Sequence, residues 1–184
     1  MRRSSKIEEG MRRLILLRHA KAVRSRPGER DEDRVLEPRG HKDAEKVGAF
    51  LTRHDLLPDR VLVSPSARTR ETWARAARTC PDAPAPVEDG RLYDASADTI
   101  LDVIRKNGRK SCTLVVGHNP GMHDLSTLLI ASGDIDMRER LRESLPTSGL
   151  VVIDFAVDRW SKLHPHSGRL ELFVDPRELE ASVD

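Results

Sequence analysis

Short runs of consecutive apolar residues alternate along this chain with stretches in which apolar residues recur every three or four positions. Leu14-Ile15-Leu16-Leu17 is too short for a buried helix and reads as a strand covered on both faces, spanning about Arg13 to Arg18. The charged segment from Lys21 to Glu37, interrupted by Pro27-Gly28, reads as an exposed loop. Pro38 suits a first helical position. Ala44, Val47, Gly48 and Leu51 then fall on one face, which predicts a helix running to about Arg53. Arg60 to Val63 reads as a second strand, and Ser64-Pro65 as the cap and first turn of a helix reaching about Thr79. Pro81 to Pro86 is a loop. Ser96 caps a helix with Ala97, Ile100, Leu101 and Ile104 on one face, closing near Asn107-Gly108. Cys112 to Val116 is a third strand, and Gly117-His118-Asn119-Pro120-Gly121 turns it into a helix that faces inward through Met122, Leu125 and Leu129. Leu150 to Val157 and Arg169 to Val174 are two more strands, either paired as a hairpin or flanking the sheet edge. Strands alternating with helices predict an α/β fold, a three-layer α/β/α sandwich with a mainly parallel central sheet.

The length of 184 residues suits one domain with a sizeable core. Residues 1–10 form a polar extension ahead of a second methionine, Met11, and residues 11–184 read as the single domain. Lys plus Arg number 32 and Asp plus Glu 30, a net charge of +2 that leaves no electrostatic footprint for nucleic acid. Two Trp, one Tyr and three Phe offer little for base stacking. No apolar run approaches the length of a membrane span and the N-terminus lacks a hydrophobic signal core, so a cytoplasmic protein with neither nucleic acid nor membrane as partner is expected. Cys80 and Cys112 have no CxxC spacing and imply neither a disulfide framework nor a zinc site. No cofactor and no metal are expected.

Three strand ends carry the candidate chemistry. Arg18-His19 follows the first strand, Arg68 and Arg70 lie just past the second, and His118 follows the third. The dipeptide alone is weak evidence, since Arg53-His54 repeats it at the end of an amphipathic helix, where a histidine suits the helix dipole. In a parallel sheet, however, the carboxyl ends of neighbouring strands share one edge, so these groups can converge. Two arginines and two histidines without clustered carboxylates suit an oxyanion, and phosphate is the natural guest for guanidinium forks beside a helix N-terminus.

At these residues the chain resembles the histidine phosphatase superfamily, and within it the small SixA-like phosphohistidine phosphatases. Leu16-Leu17-Arg18-His19-Ala20 resembles the nucleophile motif, Ser64 to Thr72 the second arginine motif, and Val116-Gly117-His118-Asn119-Pro120 the second histidine motif. Asp33 to Gly40 is a weaker match at the entry to the first long helix. The resemblance implies a phosphoglycerate mutase-like fold and catalysis through a covalent phosphohistidine on His19, with Arg18, Arg68 and His118 binding the phosphate. The motif register selects Arg68 over Arg70. Larger members carry a glutamate general acid in a stretch that here reads Val87 to Ser96, where Asp94 is the nearest fit and Glu88 the runner-up. SixA-like members lack this acid, in keeping with an imidazole leaving group that needs less proton help than an alkoxide. The implied partner is a phosphorylated protein bearing phosphohistidine, such as a phosphotransfer domain or phosphocarrier. The alternatives are a small phosphomonoester as substrate, or a module that binds a phosphorylated ligand without turning it over. Thr147-Ser148-Gly149 reads as a turn, the alternative being that its backbone amides touch the phosphate.

Overall fold

The computed structural model describes residue 7, residues 9–106, residue 108 and residues 110–179. Most of the expected extension over residues 1–10, and Asn107 at the expected helix end, lie outside the described residues. Seven strands form one sheet: β1 (Arg12–Arg18), β2 (Arg60–Val63), β3 (Pro86–Glu88), β4 (Cys112–Gly117), β5 (Ile130–Gly133), β6 (Leu150–Phe155) and β7 (Gly168–Val174). Their spatial order is β3-β2-β4-β1-β6-β7-β5. β1, β4, β2 and β3 run parallel, as do β7 and β5, while β6 is antiparallel to both of its neighbours. The sheet is thus mainly parallel, with one reversed strand near its centre.

Alternate residues of β1 face opposite layers, as the two-residue period of a strand requires. Ile15 and Leu17 pack with Val47, Leu51, Trp73 and Ala76 of α1 (Pro38–Arg53) and α2 (Ala67–Ala77). Leu14 and Leu16 pack on the other side with Ile100, Ile104, Met122, Leu125 and Leu141, from α3 (Ala97–Arg105), α4 (Gly121–Leu129) and α5 (Ile135–Glu143). Leu14 to Leu17 are all fully buried, which explains the uninterrupted apolar run. The result is the expected α/β/α sandwich.

Several local expectations are corrected. The cap of α2 is Ser66, whose Oγ accepts from the Thr69 amide, and not Ser64. Ser64 is still extended and its amide donates to Val116 O, so the sheet claims it before the helix begins. β3, β5 and α5 have no counterpart in the apolar pattern: β3 is an exposed edge, and α5 buries only Leu141. β6 and β7 do pair as a hairpin, yet β6 lies inside the sheet against β1 and β5 covers the far edge. The segment from Lys21 to Glu37 is an arm folded back on itself. Ala22 bridges Leu36, both buried with Ala20 and Ala44, and the Glu71 carboxylate of α2 accepts from the Leu36 amide.

Candidate active site

β1 ends on Arg18 and releases His19 at the carboxyl edge of the sheet. Three backbone bonds hold this end in place. The His19 amide donates to Gly117 O of β4 at 3.0 Å, and the Ser148 amide donates to both Arg18 O and His19 O at 3.1 Å. The Ala20 amide donates to Thr72 Oγ1, which in turn donates to Arg68 O within α2. These bonds tie the nucleophile candidate to the helix that carries Arg68. The Thr147-Ser148-Gly149 segment is a turn, with Ser148 in the left-handed region at φ 59°, and the Ser148 amide is committed to β1.

His19 Nδ1 lies 2.8 Å from Ala20 O. A carbonyl only accepts, so Nδ1 carries the proton and Nε2 presents a lone pair. Burial, reinforced by His118, Arg68 and Arg18 and opposed by the Ala20 bond, pushes the imidazole down to about 3. The ring is neutral at any physiological pH. The His118 ring stands 5.4 Å from it, centroid to centroid. His118 Nδ1 is 3.3 Å from Arg68 Nη2 and its Nε2 is 2.7 Å from Ser64 Oγ. A guanidinium can only donate, so Nδ1 accepts and the proton sits on Nε2, shared with Ser64. Burial first, and Arg68 second, push His118 down to about 4.

Arg18 Nη1 donates to Leu145 O, which also accepts from Asn119 Nδ2. Burial lowers the Arg18 pKa. Arg18 Nε, Arg68 Nε and Ser148 Oγ are buried with no hydrogen-bond partner among the described residues. Unmet donors on Arg18, Arg68 and Ser148 suit an acceptor-rich guest such as an oxyanion, and comparable unmet atoms also occur away from this site on Arg12, His41 and Trp73.

The sequence reading missed the groups that frame this pocket. Asp31 opens a short 3₁₀ turn (Asp31–Asp33) at the tip of the arm and binds Arg68 twice, through its backbone O at 2.7 Å and Oδ2 at 2.8 Å. Oδ2 also accepts from the Tyr93 hydroxyl at 2.7 Å, and Oδ1 from Arg34 Nη1 at 2.7 Å. The bonds from Arg34, Tyr93 and Arg68 hold this carboxylate well below the usual range. Tyr93, the single tyrosine of the chain, also sets its ring edge-on to His118 at 5.5 Å. Asp31 was hidden in a run of mixed charges, Glu29 to Arg34; Tyr93 and Ser64 were legible only as loop and cap residues.

Arg18, His19, Arg68 and His118 are thus gathered at one end of β1, α2 and β4. The other candidates are elsewhere. Arg70 is exposed and lies 3.9 Å from Glu88, also exposed at the end of β3. Asp94 is exposed, at φ 49°, with no hydrogen bond or ion pair among the described residues; its neighbour Tyr93 is the one that reaches the pocket. Among the described residues no group of three His, Cys, Asp or Glu side chains is placed to hold a metal ion, and no helix is long and apolar enough to cross a membrane.

This constellation on this sheet is that of the histidine phosphatase superfamily, and the chain belongs to it: residues 14–98 match the family model of its branch 1. The match runs from β1 into α3 and includes His19 and Arg68, with His118 beyond it. A candidate phosphohistidine phosphatase, SixA, from Agrobacterium tumefaciens is 32% identical, with a TM-score of 0.76 over 90% of this chain and 98% of its own. A second, from Nakamurella, is 27% identical with a TM-score of 0.74, over 91% of this chain and 97% of its own. An uncharacterized protein of Mycobacterium tuberculosis is 37% identical over 164 residues, 88% of this chain and all of its own length.

Proposed function

We propose that this protein is a phosphatase that works through a phosphohistidine at His19 and removes phosphate from phosphohistidine on a phosphorylated protein. One observation carries the reading: the Nδ1–H of His19 is spent on Ala20 O in a ring held neutral, so Nε2 faces the pocket as a nucleophile beside two guanidinium groups and a second imidazole. In the first step the Nε2 lone pair forms a bond to phosphorus as the bond to the leaving group breaks. Arg18 and Arg68 supply donors to the equatorial oxygens, where the charge of the transferring group must be stabilised. His118 joins them when an anionic phosphoryl group displaces Arg68 from Nδ1 and gives that nitrogen a reason to take up a proton. Water then hydrolyses the phosphoenzyme.

The state of the acids near the pocket supports this choice of substrate class. Asp31 touches the phosphate-binding arginine but is held ionised, and neither Glu88 nor Asp94 bonds to His19, Arg68 or His118 among the described residues. A departing alkoxide needs a proton; a departing imidazole can leave with the proton its far nitrogen already carries. The likeness to the Agrobacterium protein supports the same choice.

The test is rapid quench with a radiolabelled phosphohistidine peptide beside a radiolabelled phosphomonoester. Acid-labile, base-stable label should appear on His19 and turnover should vanish in His19→Ala. Label on another residue, or full activity in that variant, overturns the assignment. Faster turnover of the monoester transfers the protein to the small-molecule phosphatases.

A further inference from the structure

We propose that Asp31 is the leaving-group residue of this pocket, an anionic acceptor at its rim that takes the far ring N–H of a substrate phosphohistidine and so selects imidazole over alkoxide leaving groups. The inference rests on the phosphohistidine reading above and names the residue that would enforce it.

The geometry is specific about what Asp31 can still do. An ionised carboxylate offers about four acceptor sites on its two oxygens. Oδ2 spends two on Arg68 and Tyr93, and Oδ1 spends one on Arg34, leaving one acceptor site on Oδ1. Its side chain is 47% exposed, whereas that of Arg68 is 7% exposed, so the carboxylate links the buried guanidinium to solvent and is open to a protein-borne ring. It is also set firmly. Three donors from three segments, Arg34 on the arm, Arg68 on α2 and Tyr93 after the Gly90–Leu92 turn, converge on it.

The chemistry then becomes symmetrical. His19 is an imidazole whose Nδ1–H rests on Ala20 O while Nε2 reacts. A protonated phosphohistidine is the mirror image, with phosphorus on one ring nitrogen and N–H on the other, the latter resting on Asp31. As Nε2 of His19 bonds to phosphorus, the old P–N bond breaks and its electron pair returns to the substrate ring nitrogen. The proton on the far nitrogen stays where it was. A neutral imidazole departs, the cationic ring is now that of His19, and no proton has moved. An ionised carboxylate favours the cationic ring of the substrate phosphohistidine and can donate nothing to a departing alkoxide. The charged or titratable groups facing Asp31 are Arg34, Arg68 and Tyr93, with His118 behind Arg68 and Glu32 beside it in the chain.

Asp31→Asn keeps the shape, removes the charge and turns one of the two acceptor oxygens into an NH2 donor; Asp31→Glu keeps the charge and both acceptors. The measurement is kcat/KM against pH for wild type and both variants, on a phosphohistidine peptide and on para-nitrophenyl phosphate, with tungstate inhibition as a probe of the oxyanion pocket alone. The ratio of phosphohistidine to aryl-phosphate kcat/KM should fall about 10–100-fold in Asp31→Asn, the range for a hydrogen bond to a charged group. The alkaline limb of its phosphohistidine profile should move to lower pH, because the cationic substrate ring loses its counter-ion, and Asp31→Glu should recover part of both effects. Parallel losses on both substrates together with weaker tungstate binding would mean that Asp31 only positions Arg68. Parallel gains would mean that it plugs the pocket. Either result overturns the proposal. A wild-type protein that turns over the aryl phosphate and not the phosphohistidine peptide overturns the parent reading instead.

Discussion

At the scale of the residue, two histidines share one pocket and differ in which nitrogen is engaged, and that difference has measurable consequences. Both imidazoles titrate near 6.5 in an unfolded chain, but His19 does so at about 3 and His118 at about 4 in the folded protein. Below 6.5 the unfolded chain binds protons that the native one refuses. Stability from these groups is therefore complete above that pH and is lost as pH falls toward 4, by ~1.4 kcal/mol per pH unit for each imidazole. Urea unfolding of wild type should lose stability from pH 6.5 to 4.5, and His19→Ala should show a shallower slope; equal slopes would contradict the buried neutral ring. The second consequence concerns His118, whose Nδ1 accepts from Arg68 when no anion is bound. Turning it into a donor requires a proton, so tungstate binding near pH 7 should take up protons. Calorimetry in buffers of different ionisation enthalpy reads this directly, and zero uptake would remove His118 as a donor. Arg18→Lys and Arg68→Lys should each lose on the order of 10²–10³-fold in turnover, because a point charge cannot reproduce two donors in one plane. Rates within a few-fold of wild type would place that arginine outside the reaction.

At the scale of the element, close approach of backbones decides where the loops of the candidate site sit. A Cβ on Gly48 would collide with Ala76 O, so only glycine lets α1 lie against α2. Gly121 at the start of α4 packs in the same way on Ala95 O, two residues beyond Tyr93. The two substitutions should part company. Gly48→Ala pries apart two helices of the core and should cost about 1–3 kcal/mol in urea unfolding, as overpacking does. Gly121→Ala pushes on the segment that brings Tyr93 to Asp31, and should lower kcat/KM for phosphohistidine by a larger factor than Gly48→Ala. The opposite ranking would show that the Tyr93 segment does not depend on α4. The arm from Lys21 to Glu37 follows the same logic, because its apolar ends, Ala22 and Leu36, are buried and its charged tip is tied to Arg68.

At the scale of the whole molecule, the sheet puts the site where its backbone is stiffest. β1 is the fourth of seven strands, paired with β4 on one side and β6 on the other, and its Leu14 to Leu17 are fully buried. Amide hydrogen exchange should be slowest at Leu14 to Leu17 and Leu114 to Val116, and fast at Val87 and Glu88 of the exposed edge strand. Comparable protection at β3 and β1 would mean that the sheet is not the rigid unit described. No set of metal-binding side chains accompanies the site among the described residues, so EDTA should leave turnover unchanged. Loss of activity restored by a divalent ion would overturn the mechanism.

What the sequence determined alone is whatever short-range physics writes as a pattern. The apolar run of β1, the i, i+3, i+4 faces of α1, α3 and α4, and the Ser96 cap are legible because burial and capping act on neighbours in the chain. Arg18, His19 and His118, with Arg68 or Arg70, could be grouped because parallel strands end on one edge, and the choice of Arg68 came from the resemblance to the family's second arginine motif. Contacts across long chain separations were not. Asp31 reaches Arg68 and Tyr93, 37 and 62 residues away, and nothing in the run Glu29 to Arg34 marks which carboxylate will do so. Ser64 fitted a helix cap equally well until pairing with β4 kept it extended and aimed its hydroxyl at His118. The reversed β6, the edge strand β5 and the polar helix α5 owe their places to the surfaces left uncovered once β1, β4 and β7 are assembled. Local propensity is a property of neighbours in the chain, whereas the leaving-group side of this pocket is a property of three segments that meet only after folding.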